Sequence, residues 1–179
     1  IASGEITNGP LLLQAGKSGR SIILSTGMST LEEVRRALSV IAFGLLDGHD
    51  PSDEAFSRAF ASEAGQAALL SHVALLHCTT QYPAPFASVN LKAMTSLQEA
   101  FGLRIGYSDH TTGWVVAGAA VARGARLIEK HFTLDNSLPG PDHSASLEPQ
   151  ELRQMVESIR TVEAALGDGN KVPQVAELE

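Results

Sequence analysis

The chain has a single cysteine, Cys78, so no internal disulfide can form. That usage fits a reducing compartment, and a cytoplasmic location is expected. No run of about 18 apolar residues is present, which excludes a hydrophobic membrane-spanning helix. The opening Ile1-Ala2-Ser3-Gly4-Glu5 has no charged segment before an apolar one, so no signal peptide is read there. There is no initiator Met, and the expectation is that residues upstream have been removed. Basic residues are few: 13 Lys and Arg stand against 20 Asp and Glu, for a net charge of −7. They are also scattered, so there is no basic stripe to follow phosphates, and nucleic acid is excluded as a partner. No glycine-rich phosphate loop follows any strand-like run, which argues against a nucleotide-binding doubly wound fold.

What is present is a rhythm. A short apolar run ends in a polar cluster and is followed by a helical stretch. Ser21-Ile22-Ile23-Leu24 ends in Ser25-Thr26-Gly27, and Val73-Ala74-Leu75-Leu76 ends in His77-Cys78-Thr79-Thr80. Leu103 to Tyr107 ends in Ser108-Asp109-His110, and Ala125 to Lys130 ends in His131. Short apolar runs bounded by turn residues predict buried parallel strands. Between them, Leu31, Val34, Leu38 and Ile41 recur at helical spacing behind a Ser29 or Thr30 cap. Further helices are expected over about 52–71, 91–100, 113–123 and 148–166.

Alternating strands and helices predict a parallel α/β sheet. Polar residues at the C-terminal ends of several strands are the layout of a (β/α)₈ active site. Four strands are too few to close such a barrel, even with Ile1–Glu5 as the end of a fifth. The expectation is therefore a partial TIM barrel over residues 1–166, with 167–179 as the start of a linker.

His110 and His131 each end a strand, and adjacent parallel strands lie about 4.8 Å apart. Two imidazoles rising from neighbouring strand ends can share a metal and leave positions open for water and substrate. A hydrogen-bonded pair of partly buried histidines fits the spacing as well. Asp109 faces away from His110 by strand alternation, either orienting an imidazole or capping a helix. Glu129 and Lys130, charged inside a strand, need partners: either one of them faces the barrel interior, or they form a mutual or cross-strand ion pair. Ser3, Ser25 and Ser108 lie at three strand-like ends, where hydroxyls can bind a phosphate or carboxylate. Glu5 is a candidate acid/base. Pro139-Gly140-Pro141 stiffens a turn that carries Asp142, and Tyr82 in Tyr82-Pro83-Ala84-Pro85 can wall a pocket. His77 is read as a satisfied core histidine and Cys78 as a small buried hydrophobe.

Six segments then carry a resemblance: Ile23–Met28, Leu76–Thr80, Tyr82-Pro83, Gly106–Thr111, Glu129–Thr133 and Pro139–His143. In that order and spacing they resemble the N-acetylneuraminate (sialic acid) synthase family, which includes the legionaminic and pseudaminic acid synthases. The likeness covers about residues 1–166 and places the chain in the C-terminal half of the barrel domain. The resemblance implies a (β/α)₈ barrel followed by a small antifreeze-like domain. It implies condensation of phosphoenolpyruvate with N-acetylmannosamine or a related N-acetylated amino sugar, releasing phosphate.

By the same resemblance His110 and His131 bind a divalent metal, Mn²⁺ foremost, with Mg²⁺ or Co²⁺ as alternatives. Ser3, Ser25, Thr80 and Ser108 match positions that hold phosphoenolpyruvate, although many members carry Asn where Thr80 stands. Tyr82 and Asp142 match the sugar side, and Glu5 matches an active-site acid. A homodimer is expected of the full-length parent, and the 179 residues alone are expected to be inactive. Two other readings stand beside this one: a non-catalytic barrel fragment acting as an interaction module, and another metal-dependent TIM-barrel aldolase or hydrolase.

Overall fold

The computed structural model describes residues 1–178. Four strands form one parallel sheet in the order of the chain: β1 (Ile22–Ser25), β2 (Val73–Cys78), β3 (Arg104–Asp109) and β4 (Ile128–Lys130). Sequential order combined with right-handed crossovers puts every connecting helix on the same face. The other face is left open. A doubly wound sheet reverses its strand order and covers both faces, so this arrangement is a run of barrel units.

The alternation along each strand fits. Leu24, Leu75, Ile105 and Tyr107 are buried with the helices in the main core. On the opposite face Ile23 is 44% exposed. Ser25, Cys78 and Ser108 line the same side further up, at neighbouring strand ends.

The first connection is long. It runs through α2 (Leu31–Leu45), α3 (Asp53–Ala61) and α4 (Glu63–His72). Thr30 caps α2 in a capping box with Glu33, two residues' polar groups satisfying each other's backbone donors. One helix was expected over 52–71; there are two. Ser62 is extended, closing α3 and capping α4 through Gly65 N. A Cβ on Gly65 would meet Ala59 O at 1.9 Å, so the tight corner requires glycine there. The remaining helices are α5 (Ala93–Phe101), α6 (Val115–Ala122) and α7 (Pro149–Leu166), close to expectation. Trp114 packs with α6 and α7 beside Ala117, Leu147 and Met155.

Residues 1–5 do not form a fifth strand. Ser3–Glu5 is a 3₁₀ turn, because Glu5 N and Ile6 N bond back to Ala2 O and Ser3 O. Only Ile1 sits in strand position beside β1: its amino group donates to Ile23 O, and Ser25 N donates to Ile1 O.

A helix not anticipated from the sequence, α1 (Gly9–Lys17), crosses α2 at close range. Gly16 and Gly44 make the crossing possible. A Cβ on Gly44 would lie 2.8 Å from Leu13 O and 3.0 Å from Gly16 Cα. Those atoms are backbone and cannot swing aside. Gly44→Val is expected to cost about 3 kcal/mol, the upper part of the overpacking range. A urea titration checks it through a lower midpoint at unchanged slope.

Candidate functional site

The strand ends build the site. His110 follows β3 directly and His131 follows β4 directly, so both imidazoles rise on the open face. Their ring centroids are 5.5 Å apart at an interplanar angle of 79°. Tyr82 leans over both, 4.2 Å from the His110 ring and 5.1 Å from the His131 ring. Three aromatic rings from three loops thus meet above β2–β4. The Tyr82-Pro83 peptide is cis.

The hydrogen bonds fix which nitrogen of His110 is free. Nδ1 lies 2.7 Å from Thr79 O and, facing a carbonyl, must be the donor. In the neutral ring the lone pair is then on Nε2. Ser108 Oγ is 3.2 Å from Nε2, but its proton goes to Glu129 Oε1 at 2.7 Å. Burial, and then the nearby His131, push the His110 pKa below 6.5, while the Thr79 contact opposes them. A neutral imidazole with a carbonyl behind it and a free lone pair in front has the form of a metal ligand. His131 is half-buried, and its Nδ1 is 3.8 Å from Asp142 Oδ2. Among the described residues no three His, Cys, Asp or Glu side chains gather as a ready metal cluster. The donor set is two imidazoles with a carboxylate near one of them. It fits a divalent ion that keeps positions for water and substrate.

The His110 shift gives a pH prediction for the metal-free chain. A folded pKa below the unfolded value means the unfolded state binds more protons as pH falls. The contribution of His110 is therefore present above pH 6.5 and is lost as pH drops through the lowered folded value. In metal-free buffer, the stability gap between wild type and His110→Gln is expected to narrow from pH 7.5 to 5. A gap that widens over that range would contradict the assignment.

The hydroxyls gather nearby. Ser3 Oγ accepts from Gly27 N at 2.9 Å and lies 3.1 Å from Cys78 Sγ. A Cβ on Gly27 would meet Thr80 Oγ1, Cys78 Sγ and Ser3 Oγ, all within 2.9 Å. Three polar side chains therefore converge on a space that only glycine leaves clear. Ser25 and Ser108 are buried at the ends of β1 and β3, on either side of Cys78.

Glu5 stands apart: it is exposed and accepts from Asn8 Nδ2 at 2.7 Å. Asp142 is exposed, in a cleft of about 400 Å³ shared with His131, Phe132, Pro141, His143 and Ser146. Thr133 Oγ1, 2.8 Å from His143 Nδ1, ties the far side of that loop. A second cleft of about 590 Å³ opens on the helix side of Thr79 and Thr80, toward Asn90 and Ser96. His77 faces that side and meets Val89 O at 2.7 Å, a satisfied core histidine as expected. Burial, and then the nearby Asp142 and Glu129 carboxylates, push the Tyr82 hydroxyl's pKa up, so it stays a protonated donor.

Glu129 and Lys130 find the partners their charges required, one facing the barrel interior and one in a cross-strand ion pair, but the sequence did not name those partners. The first is met by the Ser108–Glu129 bond, which crosses from β3 to β4 at register partners. The second belongs to a buried cluster behind the histidines. Asp109 and Lys130 pair across the same two strands at 3.2 Å, and Thr111 N and Oγ1 donate to Asp109 Oδ1. Asp109 faces away from His110, as alternation predicted.

Comparison with known proteins places these observations. Residues 1–171 match the NeuB family. N,N'-diacetyllegionaminic acid synthase of Campylobacter jejuni is 50% identical over 171 residues, 96% of this chain and 45% of that protein. The enzyme of the same name from Legionella pneumophila is 46% identical, over 99% of this chain and 44% of that protein. The crystal structure of N-acetylneuraminic acid synthetase from Leptospira borgpetersenii aligns with a TM-score of 0.78 at 35% identity, covering 99% of this chain and 54% of that one. The chain spans less than half the length of the curated relatives it matches. Its four strands are a half-barrel of their TIM-barrel fold. One expectation is corrected: the matched stretch lies in the N-terminal part of these longer proteins, not in their C-terminal half. Sequence motifs of single strands show which barrel units are present, but not where those units fall in a longer chain. No described helix is long and apolar enough to cross a membrane.

Proposed function

The chain belongs to the NeuB family, and from that premise we propose that it forms part of the active site of a synthase joining phosphoenolpyruvate to an N-acetylated amino sugar with release of phosphate. The observation that carries this reading is the meeting of His110, His131 and Tyr82 over strand ends that also present Ser25 and Ser108.

Ser3, Ser25, Ser108 and, beside Gly27, Thr80 offer hydroxyls to the anionic phosphate and carboxylate of phosphoenolpyruvate. Tyr82 and Asp142 face the sugar. His110 and His131 would hold the divalent ion, with Mn²⁺ the first choice; a bound ion supplies Lewis-acid polarisation of the sugar aldehyde oxygen. Glu129 accepts the Ser108 proton, which keeps the Nε2 lone pair of His110 free. The overall change joins C3 of phosphoenolpyruvate to the aldehyde carbon, adds water at C2 and breaks the C2–O bond to phosphate. Holding both reactants over one mouth supplies the orientation this step needs. Glu5, turned to Asn8, would have to swing inward to act as an acid or base. A homodimer of the full-length protein, which also carries an antifreeze-like domain, belongs to the same reading.

The test is phosphate release from phosphoenolpyruvate with Mn²⁺ and N-acetylmannosamine or its diacetylated analogues, in the full-length parent and in these 179 residues alone. Release by the parent and none by the shorter chain is expected, because four strands build half a mouth. Release by the shorter chain would sink the claim that further strands are needed; no turnover by the parent with any such sugar would sink the reaction class.

A further inference from the structure

Asp109, Thr111 and Lys130 take no part in the chemistry above, yet they surround it from behind. The side chains of Asp109 and Lys130 are 0 and 3% exposed, and Thr111 is fully buried. One carboxylate oxygen of Asp109 accepts from Thr111 N at 2.9 Å and Thr111 Oγ1 at 2.7 Å. The other lies 3.2 Å from Lys130 Nζ, an ion pair without a formal hydrogen bond. Lys130 Nζ donates instead to Thr111 O. The three residues therefore close a ring of contacts around the backbone of His110.

Their place in the sheet gives the ring its meaning. Asp109 and Lys130 are the last register pair of the β3–β4 ladder. His110 and His131 each lie one residue beyond it. No ladder hydrogen bond fixes one histidine relative to the other. A buried ion pair is also a poor stabiliser when compared with an apolar pair of the same volume. What it does supply is a directional tie at the one point where the ladder stops.

We propose that Asp109, Thr111 and Lys130 are positioning residues whose closed ring sets the spacing of His110 and His131 for a shared divalent cation. The inference rests on the metal reading above. It adds that the geometry of the pair is set from the helix side of the sheet, by groups that never touch the ion. Thr111 is the cleanest handle, because losing its hydroxyl leaves the ion pair in place.

The experiment is a Mn²⁺ titration of the full chain, following the electron paramagnetic resonance signal of free Mn²⁺. It is run well below the unfolding temperature of each variant, with thermal melts recorded in parallel. Thr111→Val is expected to weaken Mn²⁺ binding about tenfold, the scale on which outer partners of metal ligands act, and Thr111→Ser to stay within about twofold of wild type. The double variant Asp109→Asn/Lys130→Met is expected to weaken it by about 10- to 100-fold. If Thr111→Val binds as wild type does while its melting point falls, the ring is merely structural and the proposal is overturned. Thr111→Val decides the matter even if the double variant fails to fold. A wild type that binds no Mn²⁺, or a His110→Ala variant that binds it equally well, overturns the metal reading itself, and with it this proposal.

Discussion

Lys130→Met is expected to destabilise the chain by about 3–5 kcal/mol, the range for removing one partner of a buried ion pair. The reason is what remains. Asp109 is fully buried, and without Lys130 its second carboxylate oxygen, shut away from solvent, faces no cation. A buried, uncompensated charge costs far more than the pair contributed. Thr111 O loses its donor as well. Adding Asp109→Asn removes the charge and should restore part of the loss, since the amide oxygen can still accept from Thr111 N and Oγ1. The double variant is therefore expected to be more stable than Lys130→Met alone, with a coupling energy of about 1–3 kcal/mol. Urea denaturation of wild type, both single variants and the double closes the cycle. Additive losses would mean that the pair is not coupled, contrary to its geometry.

That ion pair also shows where sequence reading stops. The four strands were legible because each is a short apolar run ending in polar residues. Ser25, Ser108, His110 and His131 could be put at strand ends for the same reason, and strand alternation set Asp109 on the face opposite His110. Asp109 could be aimed away from the site on that basis, but its partner could not be named. Pairing depends on register, and register joins Asp109 to Lys130 and Ser108 to Glu129 across 21 positions of chain.

Helix boundaries failed for local reasons. The stretch 52–71 has a continuous helical pattern, and the extended Ser62, with Gly65 packed against Ala59 O, breaks it. Helix α1 offered a signal that went unused: Asn8 caps it through Leu11 N, and Pro10 sits in its first turn. Gly16, inside this helix, is there to admit α2. Residues 1–5 read as a strand end because Ile1 does hold a strand position, but the 3₁₀ turn begins two residues later.

The His110 site carries the other large effect. In the full-length protein, His110→Ala is expected to lower kcat/KM for phosphate release by about 10³-fold or more. The arithmetic is direct: Lewis-acid stabilisation supplies several kcal/mol, and each 1.36 kcal/mol is tenfold in rate. The substitution removes the imidazole whose Nε2 is left free by Thr79 and Glu129, so the loss should fall on metal affinity and on kcat together. Ser25→Ala makes the contrast. It deletes one hydroxyl offered to an anionic substrate, a loss of roughly 1.5–3 kcal/mol for a hydrogen bond to a charged group. Part of that loss should appear in KM for phosphoenolpyruvate, with metal affinity unchanged. Steady-state assays across a Mn²⁺ series separate the two patterns. A His110→Ala enzyme that kept its metal-dependent rate would remove His110 from the metal site, and the ring of contacts behind it would lose its purpose.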